Sequence, residues 1–214
     1  MTKEGFTFVL PALGVSLISF AIWAYSSLHA LLALAGVFLL LTLFLIFFFR
    51  DPERRTPSDE NLVLSSADGK VISIRPFRNA DFVEGEGTLV SVFMSVFDVH
   101  VNRAPITGKV EHLKYNPGKF FPAFKEKASL ENEQTELGFR NAHGRVMIKQ
   151  IAGIIARRIV CKVRQGDSLR AGQRLGLIKF GSRVDHLLPQ SVKIKAKLHQ
   201  KVKAGETVIG VFRE

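Results

Sequence analysis

The chain has 214 residues, a formal net charge of +11 and one cysteine, a length that holds one domain and an appendage. The lone Cys161 excludes a disulfide framework within one chain and fits a reducing compartment, with buried packing as its ordinary role. Before Arg50 the only charged residues are Lys3 and Glu4, so the positive excess falls on residues 50–214. That remainder supports one sizeable core and no second soluble domain.

Phe6 to Ala24 and Leu28 to Phe49 are apolar stretches, each long enough to cross a bilayer, which takes about 20 residues. Pro11 falls early in the first, and a lipid-embedded helix tolerates one proline. No small-residue cleavage site separates the two stretches, which argues against a signal peptide. The connector Tyr25-Ser26-Ser27 is too short to hold a domain, so residues 1–49 are expected to form a transmembrane helical hairpin. Trp23 and Tyr25 suit an interfacial belt. Arg50, Arg54 and Arg55 follow the second stretch and the connector carries no charge, which places both ends at the cytoplasmic side of the cell membrane.

Residues 50–60 contain Asp51-Pro52-Glu53-Arg54-Arg55-Thr56-Pro57, a charged, proline-broken linker to a domain over 61–214. Leu62 to Ser66 and Val71 to Ile74 flank Asp68-Gly69, a turn pair suited to a hairpin, and turn chemistry alone would account for Asp68. Thr88 to Val101 reads as one long strand or two. In an extended chain Asp98, His100 and Asn102 share one face and Phe97, Val99 and Val101 the other, so a polar row opposes a core row. Such a row is either a solvated sheet face or a site, and Asp98 and Asn102 are neighbours able to fix the tautomer of His100.

Tyr115-Asn116-Pro117-Gly118-Lys119 is a turn. Phe120, Phe121 and Phe124 follow it and either cap the core or line a lipid-entry surface. Glu126 to Glu136 is a short helix or a loop, Val146 to Ile155 is apolar, and Ala156-Arg157-Arg158-Ile159 fits a helical turn. Val163-Arg164-Gln165-Gly166-Asp167-Ser168-Leu169 recurs as Val202-Lys203-Ala204-Gly205-Glu206-Thr207-Val208. Each copy reads as strand, turn, strand and resembles the hammerhead repeats of biotinyl and lipoyl carrier domains, without a carrier lysine. Val192, Ile194, Ala196 and Leu198 alternate with Lys193, Lys195, Lys197 and His199, a half-buried strand with a cationic outer face. That face serves solubility or attracts an anionic leaflet. The fold class expected is mainly β (α+β): a sandwich or barrel-like soluble domain with hammerhead-type strands and few short helices, preceded by the transmembrane hairpin.

Between the two copies lies Phe180-Gly181-Ser182-Arg183-Val184-Asp185. Gly-Ser is by itself an ordinary turn dipeptide. A glycine also gives the following hydroxyl an open approach to its own carbonyl and accepts strained dihedrals. Attack there would give an ester, β-elimination would leave dehydroalanine, and hydrolysis would leave a pyruvoyl group and ammonia.

Several stretches, in order, resemble one family: Ser66-Ala67-Asp68-Gly69-Lys70-Val71, Phe93 to Pro105 with Asp98-Val99-His100-Val101-Asn102-Arg103, Tyr115-Asn116-Pro117-Gly118, Asn132-Glu133, Gln150-Ile151-Ala152-Gly153, Ala156 to Ile159, and Phe180 to Asp185. The chain resembles the phosphatidylserine decarboxylases, in particular their short, archaeal-type form. The resemblance implies a proenzyme cleaved between Gly181 and Ser182 into chains 1–181 and 182–214 that stay paired as a heterodimer. Ser182 would become a covalent pyruvoyl cofactor that condenses with the amine of phosphatidylserine and acts as electron sink for loss of carbon dioxide. It also implies Asp68 and His100 as acid-base residues, a membrane partner and no need of a metal. Longer relatives have a second histidine where Arg103 stands, so the division of labour between cleavage and decarboxylation stays open, and Arg103 is a candidate for holding the substrate's phosphate or carboxylate. Two other classes compete. A membrane-anchored β-sandwich adaptor without chemistry explains the tether and the repeat but not the Gly-Ser stretch. A nucleic-acid binder ranks last, because the charge is spread and no recognition helix is evident. Diacyl and ether-linked serine phospholipids are not distinguished.

Overall fold

A computed structural model describes residues 1–123, 128–153, 158–179 and 181–213. Phe124 of the phenylalanine loop, Ala156 and Arg157 of the expected helical turn, and Phe180 of the Gly-Ser stretch lie outside the described residues. The chain divides into two compact units, Met1–Pro52 and Glu53–Glu214.

The first unit is a pair of helices, α1 (Lys3–Ser26) and α2 (His29–Phe48), joined through Ser27, which takes a left-handed φ of 54°. At 1.5 Å per residue they are about 36 Å and 30 Å long, and both are apolar enough to cross a membrane. Their polarity is inverted relative to a soluble pair. Ser16, Ser19 and Thr42 are buried while Leu17, Ile18 and Leu40 face outward. Small and hydroxylated residues let two backbones approach where lipid supplies no hydrophobic drive. Ser16 Oγ donates across the pair to the Ala35 carbonyl at 2.9 Å.

The second unit is built from antiparallel strands, with one short helix, α3 (Ala128–Glu131), among the described residues. Its strands are β1 (Leu62–Leu64), β2 (Gly69–Arg78), β3 (Glu86–Met94), β4 (Val101–Arg103), β5 (Gly108–Asn116), β6 (Gln134–Asn141) and β7 (Gly144–Ala152). After these come β8 (Ile159–Cys161), β9 (Ser168–Leu169), β10 (Arg174–Ile178), β11 (Ser182–Pro189), β12 (Val192–Ile194), β13 (Lys201–Val202) and β14 (Val208–Phe212). An eight-stranded sheet has the order β13-β2-β3-β11-β7-β6-β5-β9, and two three-stranded sheets have the orders β1-β14-β12 and β4-β10-β8. Inward residues of all three, among them Val92, Phe139, Ile148, Leu175, Leu188 and Ile209, form one buried core. The mainly β architecture expected from the sequence is therefore present.

Several local expectations change. The Asp68-Gly69 pair does not close a hairpin: β1 pairs with β14, whereas β2 pairs with β3 and β13. Asp68 is instead the corner where the chain passes from a small sheet to the large one. Gly69 is needed there because a Cβ would fall 2.0 Å from the Phe93 carbonyl oxygen. Of the one strand or two expected over Thr88 to Val101, the structure has two, β3 and β4, separated by a turn at residues 95–98. Ser95 N–H and Oγ both donate to Asp98 Oδ2, at 2.8 and 2.7 Å, closing a turn. That turn leaves Phe97, assigned by alternation to the core, 67% exposed, and it buries His100 and Asn102. The lysine-faced strand shortens to β12, and Leu198 is 52% exposed.

The internal repeat is real in three dimensions. Gly166 N–H donates to the Val110 carbonyl while Val110 N–H donates to Asp167, and Gly205 N–H donates to the Ser65 carbonyl while Ser65 N–H donates to Thr207. Each copy thus clips its glycine turn onto a neighbouring segment. Cys161 is half-buried beside the core, its Sγ 3.7 Å from the Val163 carbonyl, and burial pushes its thiol pKa up.

Candidate active site at the Gly181 to Ser182 corner

Two crossovers between sheets run side by side. One leads from Met94 at the end of β3 to Val101 in β4, and the other from Ile178 at the end of β10 to Ser182 at the start of β11. Ser182 pairs with Met94 in the large sheet and Leu177 with Val101 in the small one. His100 on the first crossover is thereby set against Gly181 on the second.

Gly181 has φ +66°, a left-handed conformation that disfavours any side chain, although nothing crowds its Cβ position. Its N–H donates to His100 Nε2 at 3.2 Å. Since an amide can only donate, Nε2 carries the lone pair and Nδ1 the proton, which is donated to the Asp98 carbonyl at 3.0 Å. The tautomer is thus fixed by the backbone of Asp98, while the Asp98 carboxylate is spent on the turn. The Gly181 carbonyl oxygen lies against Gly153, where a Cβ would come within 2.1 Å of it. Ser182 is buried, and its Oγ rests on Met94 Sδ at 3.3 Å.

Polar groups continue beneath this corner. Asn102 accepts from Gln150 Nε2 at 2.7 Å and donates to the Ser66 carbonyl at 3.3 Å. Asn132 ties the phenylalanine loop to the same place: its Nδ2 donates to the Phe121 and Ala152 carbonyls at 2.8 and 2.7 Å, and its Oδ1 accepts from Phe121 N–H at 2.8 Å. Ala152 is the β7 partner of Ser182. Phe120 packs on the core, and Lys119 Nζ sits 5.7 Å from the Phe121 ring centroid.

Asp68 occupies the β1 to β2 corner. Both its oxygens accept from Arg54 Nη2, at 2.9 and 2.8 Å, and Oδ1 also accepts from Ala204 N–H at 2.8 Å. Burial raises its pKa, against the pull of the Ala204 N–H and the Arg54 guanidinium, and the Asp98 charge adds to the rise. Arg103 is buried, with one guanidinium nitrogen donating to the Gly172 carbonyl at 3.0 Å and its stem against Gly205. A cavity of about 590 Å³ lined by Phe77, Arg78, Gly87, Lys193 and Arg213 lies at the opposite end of β3 from this corner.

Sequence reading singled out Ser182, Gly181 and His100, and the fold brings these three together. It overlooked Gly153, Asn132, Met94 and Arg54. Gly153 and Asn132 stand in stretches already quoted, but what they touch depends on sheet order. Arg54 was counted as a charge beside a membrane segment, and no local pattern shows its partner.

The fold and this corner define a class: an antiparallel β domain whose candidate site groups meet where the chain changes sheets, in a protein that also carries an apolar helical pair. A sequence model of the family "Phosphatidylserine decarboxylase" matches residues 41–210. The chain is 49% identical over 170 residues to the phosphatidylserine decarboxylase proenzyme of Chlorobium phaeobacteroides (strain DSM 266), covering 79% of this chain and 80% of that one. It is 52% identical over 183 residues to the proenzyme so named from Citrifermentans bemidjiense, covering 83% and 81%. With that of Geotalea uraniireducens it shares 46% identity over 213 residues, 99% and 96% of the two chains. The chain belongs to the phosphatidylserine decarboxylase family.

Proposed function

We propose that this chain is a proenzyme that cuts itself between Gly181 and Ser182 and then decarboxylates phosphatidylserine to phosphatidylethanolamine with a pyruvoyl group derived from Ser182. The observation that carries the reading is the lone pair of His100 Nε2 on the Gly181 amide, one residue before a buried serine hydroxyl. In the first step Ser182 Oγ leaves Met94 Sδ by rotation about χ1 and attacks the Gly181 carbonyl carbon. His100 takes the hydroxyl proton and returns it to the departing Ser182 nitrogen, so a C–O bond replaces the C–N bond. Loss of the Ser182 α-proton then breaks the Cβ–O bond, leaving a Gly181 carboxylate and dehydroalanine. Water converts the latter to a keto group and ammonia.

The surroundings fit such a group. β11 holds residue 182 through Met94 and Ala152 on its two sides. Gln150 Oε1 and Ser66 Oγ are buried with no hydrogen-bond partner among the described residues, so polar capacity is free in the same layer. The keto group supplies the electrophile and electron sink for decarboxylation. His100 is the residue assigned to hold or deliver a proton at the substrate Cα, and Asp68 serves maturation as a carboxylate. Arg103, whose Nη1 donates to the Gly172 carbonyl, is the candidate to meet a substrate anion through its remaining N–H groups.

Residues 1–49 act as the membrane tether, 50–60 as linker and 61–214 as catalytic domain, on the cytoplasmic side of the cell membrane. Intact-mass measurement of the purified wild type should give two polypeptides, the smaller starting at residue 182 with a blocked end. Ser182→Ala should stay whole and inactive. His100→Ala should slow both cleavage and carbon dioxide release by about 10²-fold or more, the usual share of a general acid-base group. A single intact chain in active material, or wild-type rates in His100→Ala, would refute the assignment.

A further inference from the structure

Arg54 stands in a run of charged linker residues, yet its side chain is only 6% exposed. Its Nη2 grips both oxygens of Asp68, and its Nη1 lies 3.8 Å from Glu206 Oε2. The next residue follows the same path, with Arg55 N–H donating to Glu206 Oε1 at 3.2 Å. Thr56 then closes on Gly172, where a Cβ would sit 2.2 Å from its Oγ1. The linker is therefore seated on the catalytic unit rather than hanging free. One guanidinium nitrogen on both Asp68 oxygens and a second facing Glu206 tie two carboxylates through one rigid planar group, which the single nitrogen of a lysine does not reproduce. Without Arg54, Asp68 would keep the Ala204 N–H alone, in a buried place beside Asp98.

We propose that Arg54 is a positioning residue of this site: by holding Asp68 from one side and Glu206, in the segment after the cleavage point, from the other, it sets the orientation and charge of Asp68 for self-cleavage. The proposal rests on the role given to Asp68 above. The charges facing Asp68 are Arg54 and, from the β3 to β4 turn, Asp98. Glu206 and Lys203 stand behind Arg54, and Arg103 packs on Gly205 of the same turn. Burial already raises the Asp68 pKa and Arg54 opposes the rise. Removing Arg54 moves it further up, so the carboxylate is lost at a higher pH.

The test follows cleavage of newly synthesised full-length chain in phosphatidylglycerol vesicles from about pH 5 to about pH 9, a range that brackets typical acid-base limbs. Arg54→Gln should cleave at least about tenfold more slowly near neutrality, with its acid limb moved up by about one pH unit, the size expected when one close opposite charge is removed. Arg54→Lys, which keeps charge but offers one nitrogen in place of the two that face Asp68 and Glu206, should keep the limb and lose rate. Adding Arg54→Gln to Asp68→Asn should cost nothing beyond Asp68→Asn alone. A limb unmoved in Arg54→Gln overturns the proposal, as does a wild-type rate in Arg54→Lys should the glutamine variant fail to fold. If Asp68→Asn itself matures normally, the role of Asp68 fails. If Asp68→Asn stalls while Arg54→Gln keeps the wild-type profile, only the clamp fails.

Discussion

Two histidines in this corner of the fold have different partners. His100 accepts the Gly181 N–H at Nε2. His186, on β11, accepts Ser66 N–H at Nε2 (2.8 Å) and donates from Nδ1 to the Val90 carbonyl (3.2 Å), so both ring nitrogens are used in its neutral form. Complete burial lowers its pKa from 6.5 to about 4, against smaller opposing effects of the Val90 carbonyl and the Asp185 charge. An unfolded histidine protonates near 6.5, so below that pH the unfolded state binds a proton that the folded state refuses. The stability that His186 contributes is full above about pH 6.5 and is lost as pH falls towards 4, by about 3 kcal/mol in all. Urea unfolding of the uncleaved Ser182→Ala chain should show this loss. Adding His186→Gln, which keeps an acceptor for Ser66 N–H, should flatten the slope across that window. An unchanged slope would mean that His186 is not the group that titrates.

At the level of the element, β11 decides what the proposed cleavage would do to the molecule. It is an interior strand, registered from Ser182↔Met94 to Pro189↔Gly87 on one side and from Ser182↔Ala152 to Leu187↔Met147 on the other. Its two faces are both buried. Val184 and Leu188 enter the main core, while Leu187 packs with Phe82, Val83, Leu89 and Met147 in a second cluster. Beside Leu187 the Arg183 and Asp185 side chains form a buried ion pair, and Arg183 also donates to Ser91 Oγ at 2.7 Å. The segment after Ser182 also supplies β12 and β14 to one small sheet and β13 to the edge of the large one. Cutting before Ser182 removes one covalent bond and none of these contacts. The fragments 1–181 and 182–214 should therefore co-elute in native chromatography and separate only in denaturant. Loss of the small fragment under native conditions would contradict the strand order.

For the molecule as a whole, the groups proposed to react all lie from Arg54 onward, within the second unit. Deleting residues 1–49 should leave a folded chain that still cleaves itself but acts poorly on vesicles. Its residual attachment would come from exposed lysines such as Lys193, Lys195, Lys197 and Lys201, each contributing about 1 kcal/mol near an anionic leaflet. Sedimentation with anionic vesicles should fall steeply as salt rises from about 0.05 M to about 0.5 M. Salt-insensitive binding would point instead to insertion of exposed apolar groups such as Phe97. The division into an apolar pair and a β domain, the repeat, and the Gly181-Ser182 stretch were legible in the sequence, because hydropathy, turn chemistry and short motifs are local properties. Locality also set the limit. Alternation placed Asp98, His100 and Asn102 in one row, but the turn closed by Asp98 separates them, and a hydrogen bond between Ser95 and Asp98 leaves no mark on a period-two pattern. The grip of Arg54 on Asp68, the pressure of the Gly181 carbonyl on Gly153, and the meeting of His100 with Gly181 depend on which strands neighbour one another. Strand order is fixed by burying three sheets around one core, and only the tertiary structure settles it.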